Sequence, residues 1–332
     1  MAKQRLTKWI RRRHWYVRRR ILHTTFTAAA RAAEFALSRR AARGGIEVIR
    51  DVKYGRHRIA HRLDIYRPAA ASGPLPVLLY VHGGAFTLCS KETHRGIAQA
   101  NAEGAGYLVF NINYRLAPGY RFPAAIADVC KAYCWVVANC ARYGGDPQRI
   151  VVAGESAGGN LALGAAIAAT YRRPERYARK VYETGVVPVG VMPVCPYLQA
   201  SDPSRHSAAG YIAHSVARAI EVAYLGRAAL PGPRTLMADP IRVLEECGAP
   251  HRPFPPVFSG VGERDLCRAD VKRLEKACRE LGIAISVNYY PKELHAFHAL
   301  QWRKASRLFW RRAFRYMRRL ARGAPPRMAL AA

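Results

Sequence analysis

The chain has 332 residues, half of them apolar, and a formal net charge of +32, a composition that supports a substantial core and excludes a disordered chain. Such a charge invites negatively charged partners, yet no RNP aromatics, zinc-finger spacing or helix-turn-helix pattern accompanies it, so no nucleic-acid partner is expected. The eight cysteines form no C-x-x-C pair and alternate with no histidines at zinc spacing, which reads as reduced packing residues and no metal site.

Residues 1–44 read as a basic helical region in which Trp9, Trp15, Tyr16, Phe26 and Phe35 lie among arginines, ended by Gly44-Gly45. Its first twenty residues carry charge without the apolar stretch of an export signal, and no run of about 18 apolar residues marks a spanning helix anywhere. A cytoplasmic chain is expected, with peripheral contact to an anionic membrane left open because Trp beside Arg suits an interface.

Short alternating runs at 46–52 and 61–66 suit antiparallel strands at a sheet edge. Apolar runs of strand length then follow at 77–81, 107–112, 150–153, 187–192, 257–261 and 285–290, the last alternating more and so placed nearer an edge. Helical patterns at 124–143, 161–171 and 271–281 separate them. This order predicts one α/β domain over 45–323, with a mostly parallel sheet flanked by helices. Residues 199–244 hold neighbouring strands further apart in sequence than a crossover needs and read as a functional insertion. Residues 299–322 predict a final helix whose stripe of Ala305, Phe309, Ala313, Tyr316 and Leu320 lies largely opposite its arginines; 324–332 read as a flexible tail.

Three stretches carry chemistry. Gly154-Glu155-Ser156-Ala157-Gly158 fits G-x-S-x-G between an apolar strand and a helix of small residues, the context in which a strained turn presents a serine hydroxyl. His82-Gly83-Gly84 follows the strand at 77–81, and the amides of Gly83 and Gly84, with that of Ala157, are expected to form an oxyanion hole. A serine needs a base, and the base needs an acid that holds its tautomer. Asp265, after the strand at 257–261, and His295, after the strand at 285–290, stand in the order Ser, Asp, His. His298, Asp270 and Glu263 are the rivals.

With these motifs, Tyr114-Arg115-Leu116-Ala117-Pro118, Phe122-Pro123-Ala124-Ala125, Asp128 and Gly145-Asp146-Pro147-Gln148-Arg149-Ile150 make the chain resemble the hormone-sensitive lipase-like family of esterases, α/β-hydrolase fold-3, from about residue 46 to 320. The resemblance implies the α/β-hydrolase fold with a helical cap made by residues 1–44 and 199–244. It further implies a triad of Ser156, Asp265 and His295, no cofactor, and hydrolysis of a small-molecule ester with a short to medium acyl chain. The chain departs from the family pattern at Ala85, where a third glycine is usual, at Glu155, where aspartate is common, and at Leu266-Cys267 after the acid. Amide or arylformamide hydrolysis would use the same triad, and a non-catalytic ligand-binding homologue would be expected to lack the histidine that His295 supplies.

Overall fold

The computed structural model describes residues 45–70, 73–209, 211–226 and 232–323; the expectations for 1–44 and 324–332 fall outside the described residues. Eight strands form one sheet in the order β1-β2-β4-β3-β5-β6-β7-β8. They are β1 (Ile46–Lys53), β2 (Arg62–Pro68), β3 (Leu75–Val81), β4 (Leu108–Ile112), β5 (Gly145–Glu155), β6 (Gly190–Val194), β7 (Val257–Gly262) and β8 (Ile285–Tyr290). β2 runs antiparallel to both β1 and β4, and every other pairing is parallel.

The sheet is double-sided because its central strands are apolar at successive positions. In β3, Val77, Leu79 and Val81 enter one core layer and Leu78 and Tyr80 the other, as the two-residue period of a strand requires. The first layer is covered by α2 (Ala124–Asn139), α3 (Ala157–Thr170) and α4 (Arg176–Glu183), the second by α1 (Arg95–Ala105) and α8 (Lys304–Ala321). α6 (Pro240–Glu246) and α7 (Arg268–Glu280) lead to and from β7. β8 ends the sheet and is mostly half-buried, as its alternation predicts. In α8, Phe309, Ala313, Tyr316 and Leu320 are buried.

α3 is buried at every residue, and its alanines and glycines let it lie close against the sheet. The stretch 124–143 is the one described segment long and apolar enough to cross a membrane; half of it is buried, and its residues Ile126, Val129, Tyr133 and Val136 belong to the core. α1, α4 and α6 were not expected. α1 shows why: its buried face is Ala98, Asn101, Ala102 and Ala105, too small and polar a set to produce a helical period in hydropathy. β6 begins at Gly190 instead of 187, because Pro188 interrupts the apolar run and pairing with β5 spans only Gly190–Val194.

Candidate active site

Parallel strands deliver their following loops to one edge of the sheet, and four of these loops meet here. β5 ends at Glu155, and the chain turns into α3 through Ser156 at φ 53°, ψ −119°, a left-handed conformation that only a tightly held turn retains. The flanking glycines have a measurable reason. A Cβ on Gly154 would lie 2.5 Å from the carbonyl oxygens of both Val81 and Gly158, and one on Gly158 would lie 2.1 Å from Val81 O. β3 and α3 can pass this close to the turn only where both residues lack a side chain.

His295 lies in the loop after β8, and its ring joins the other two predicted residues. Nε2 is 2.9 Å from Ser156 Oγ, and Nδ1 is 2.8 Å from Asp265 Oδ1. Asp265 follows β7 and is buried, and its Oδ1 also accepts the Cys267 amide at 2.8 Å. With Nδ1–H held by the carboxylate, Nε2 faces the serine as an acceptor, the tautomer that deprotonation of a hydroxyl requires.

The rivals are engaged elsewhere. Asp270 is fully buried, accepts the Leu198 amide at 2.6 Å and pairs with Arg205. His298 is buried with Nε2 4.0 Å from Glu155, and Glu263 is exposed.

The oxyanion expectation needs one correction. The amide of Gly83 donates to Glu155 Oε1 at 2.8 Å inside the protein, so it is not free to meet a substrate oxygen. Sequence spacing could not reveal this, because the acceptor lies 72 residues away. The amides of Gly84, Ala85 and Ala157 donate to no group among the described residues. Gly84, Ala85 and Phe86 all have positive φ, at 109°, 54° and 59°, so the loop turns sharply just where its free amides begin. Ala85 thus holds a left-handed backbone although it carries a side chain.

Glu155, noted in the sequence only as a departure from aspartate, is the hub beneath the site. Besides Gly83 it accepts the Tyr80 hydroxyl and the His94 ring, whose Nε2 lies 2.5 Å from Oε1. Burial by itself would raise the Glu155 carboxyl, but the charge and hydrogen bond of His94 and the nearby His298 ring outweigh it and hold the group well below the usual carboxylate range. His94 Nδ1 faces Ser90 O at 3.2 Å and the Thr93 hydroxyl at 2.8 Å, and that hydroxyl gives its own proton to Ser90 O. Both ring nitrogens of half-buried His94 therefore face oxygens that can accept, an arrangement that favours the protonated ring. Burial opposes that charge, and the Glu155 carboxylate raises the His94 pKa above its ordinary value. His82 behaves oppositely: burial, then the charge of His94, depresses it to about 3, and the neutral ring meets Gly83 O at 2.7 Å and stacks on Tyr114.

Cys195, after β6, is a further buried neighbour. The donor atoms of Cys195, Asp265 and His295 lie within 4.8 Å of one another, the one such group among the described residues close enough to share a metal ion. Burial, then the Asp265 charge, pushes the thiol well above its ordinary pKa, so it remains protonated.

A portion of the insertion at 199–244 reaches the loop after β3. α5 (Tyr211–Tyr224) ends with Tyr224 stacked on Phe86 at 3.9 Å between ring centroids, while the Phe122 amide donates to Tyr224 O at 2.9 Å. A cavity of about 900 Å³ lies off the triad, bordered by Asp51, His57, Glu92, Tyr114, Arg115 and Tyr120. Ser156, Asp265 and His295 do not line it.

The family model described as alpha/beta hydrolase fold matches residues 78–299, two thirds of the chain, and the chain belongs to that family. It is similar to the Carboxylesterase NlhH of Mycobacterium tuberculosis, 47% identical over 97 residues, which cover 29% of this chain and 30% of that one. It is also similar to the Hormone-sensitive lipase of Bos taurus, 38% identical over 95 residues covering 29% of this chain and 13% of that one. These matches span less than a third of either relative's length. Among solved structures, the esterase LipW from Mycobacterium marinum superposes with a TM-score of 0.72 at 26% identity, covering 90% of each chain.

Proposed function

We propose that this chain is a serine carboxylic-ester hydrolase in which Ser156 is the nucleophile, His295 the base and Asp265 the acid that orients the base. The observation that carries the reading is one ring in contact with both partners, Nε2 at 2.9 Å from Ser156 Oγ and Nδ1 at 2.8 Å from Asp265 Oδ1. The names of the relatives, a carboxylesterase, an esterase and a lipase, support the ester as substrate class.

In this mechanism Ser156 Oγ attacks the ester carbonyl while His295 Nε2 takes the hydroxyl proton. Negative charge gathers on the carbonyl oxygen, where the free amides of Gly84, Ala85 and Ala157 stabilise it; one such donor contributes about 3 kcal/mol to lowering the barrier. Collapse breaks the bond to the alcohol, which leaves with the proton from His295. Water then gives its proton to His295, attacks the acyl-serine and releases the carboxylic acid, returning the proton to Ser156. No metal or cofactor enters any step. The insertion at 199–244 serves as a cap over a pocket for short to medium acyl chains, a reading supported by the contact of Tyr224 with Phe86.

Ser156→Ala should lower turnover of p-nitrophenyl butyrate by at least about 10⁴-fold and abolish labelling by a fluorophosphonate. Parental turnover in that variant overturns the assignment.

A further inference from the structure

Between Leu294 and Gly323 the sequence carries nine Lys or Arg residues and no Asp or Glu. Among the described residues, only Arg303 of these is paired with a carboxylate, Glu293 at 2.9 Å. Arg307, Arg312 and Arg318 reach neutral oxygens, those of Trp302, Asn288 and Gly104. Lys304, Arg307, Arg311 and Arg315 are exposed and recur at helical spacing along one stripe of α8. Like charges three or four residues apart repel, so this stripe lacks the compensation a solvated helix normally carries.

The loop leading into α8 adds a second feature. Leu294 is 62% exposed, Leu300 37% and Trp302 68%, three large apolar side chains at the foot of the basic stripe, on the loop that also bears His295. Two leucines and a tryptophan beside Lys and Arg match the zone where acyl chains meet headgroups. A nucleic acid would meet the charge but leave the leucines without a partner. The chain's own residues 1–44 hold thirteen Lys or Arg against Glu34 alone, and a second copy presents the same sign, so both are repelled.

We propose that the loop 294–302 and the exposed stripe of α8 form a docking surface for an anionic lipid bilayer. Leu294, Leu300 and Trp302 enter to headgroup depth, and Lys304, Arg307, Arg311 and Arg315 face the lipid charges. The docking does not depend on the proposed chemistry: His295 shares the loop, but the seven side chains named here form no hydrogen bond or ion pair with Ser156, Asp265 or His295 among the described residues.

The test is co-sedimentation of the full chain with vesicles of phosphatidylcholine alone and of an equimolar mixture of phosphatidylcholine and phosphatidylglycerol, across a salt series. Binding should require phosphatidylglycerol and weaken as salt rises. Lys304→Glu/Arg311→Glu/Arg315→Glu should lower the partition constant by at least about a hundredfold, while Leu300→Ser/Trp302→Ser should lower it about tenfold and remove the component that survives high salt. Circular dichroism and turnover of a soluble ester should stay parental in both variants, which separates loss of docking from loss of fold or site. Three results overturn the proposal: equal binding to neutral vesicles; parental binding by the triple variant while Arg11→Glu/Arg12→Glu/Arg13→Glu loses it; or capture of a DNA duplex, lost in the triple variant, without capture of anionic vesicles.

Discussion

The carboxylate of Glu155 and the amide of Gly83 meet at 2.8 Å inside the protein, fastening the loop after β3 to the residue that precedes Ser156. The same carboxylate holds the His94 ring, which enters from the turn before α1. One buried side chain therefore sets the distance between the serine and the free amides of Gly84 and Ala85, although it stands in neither group.

Glu155→Gln keeps the shape but removes the charge opposite His94. Leaving one member of a buried pair unpaired costs about 3 to 5 kcal/mol, so the melting temperature should fall. The oxyanion loop should lose its fixed distance from Ser156, and kcat for p-nitrophenyl butyrate should drop about 10- to 100-fold with little change in KM. Steady-state kinetics beside a thermal melt check both, and parental kcat in a folded variant would remove Glu155 from any positioning role.

Gly158→Ala should destabilise the protein by about 3 kcal/mol or more, because the new Cβ meets Val81 O at 2.1 Å and His82 O at 2.5 Å, both main-chain atoms of the sheet edge. Gly185→Ala is the contrast: its φ of 72° is strained for alanine, but no atom lies within 4 Å of the Cβ. That change should cost only about 1 to 2 kcal/mol. Urea midpoints of the two variants measured together give the difference, and equal midpoints would contradict the tight β3–α3 crossing.

Stability should fall as the solution is acidified. His206 is buried in the insertion with its pKa depressed to about 4, first by burial and then by the charge of Arg205, and His82 is depressed to about 3. Between the unfolded value of about 6.5 and these folded values, the unfolded chain binds protons that the folded chain does not, so stability is lost as pH decreases through that window. Glu155 adds to the loss below its unfolded value, since its folded carboxyl is held low. The raised pKa of His94 acts in the other direction, its contribution being present below about 6.5 and lost as pH rises through the folded value. His206→Gln should reduce the slope of unfolding free energy between about pH 6 and 4 by about 1.4 kcal/mol per pH unit, read from urea titrations at several pH values. An unchanged slope would mean that His206 titrates alike in both states.

Much of the site is legible because a tight strand-to-helix turn constrains sequence locally. A serine on a tight strand-to-helix turn requires Gly154 and Gly158, and a fold that alternates strand and helix fixes which loops follow β7 and β8; those loops contain Asp265 and His295. Glu155 was visible only as an unusual letter. Nothing near it in sequence announces Tyr80, Gly83, His94 or His298 as its neighbours, and the wrong choice of Gly83 as a free donor follows from that blindness. α1 is silent in the sequence for a related reason, since its buried face is made of alanines and an asparagine that leave no hydropathy signal.

The sequence by itself determined what short-range sterics and periodicity encode: the alternation of strands and helices, the elbow around Ser156 and the chain order of Ser156, Asp265 and His295. The tertiary structure decided which donors and acceptors pair across long loops, and thereby which amides stay free and which histidine has its pKa raised and which lowered. Hydrogen bonds and buried charges act over a few ångströms in space regardless of separation along the chain, so Glu155 raises the pKa of His94, sixty-one residues away, only once the sheet has brought them together.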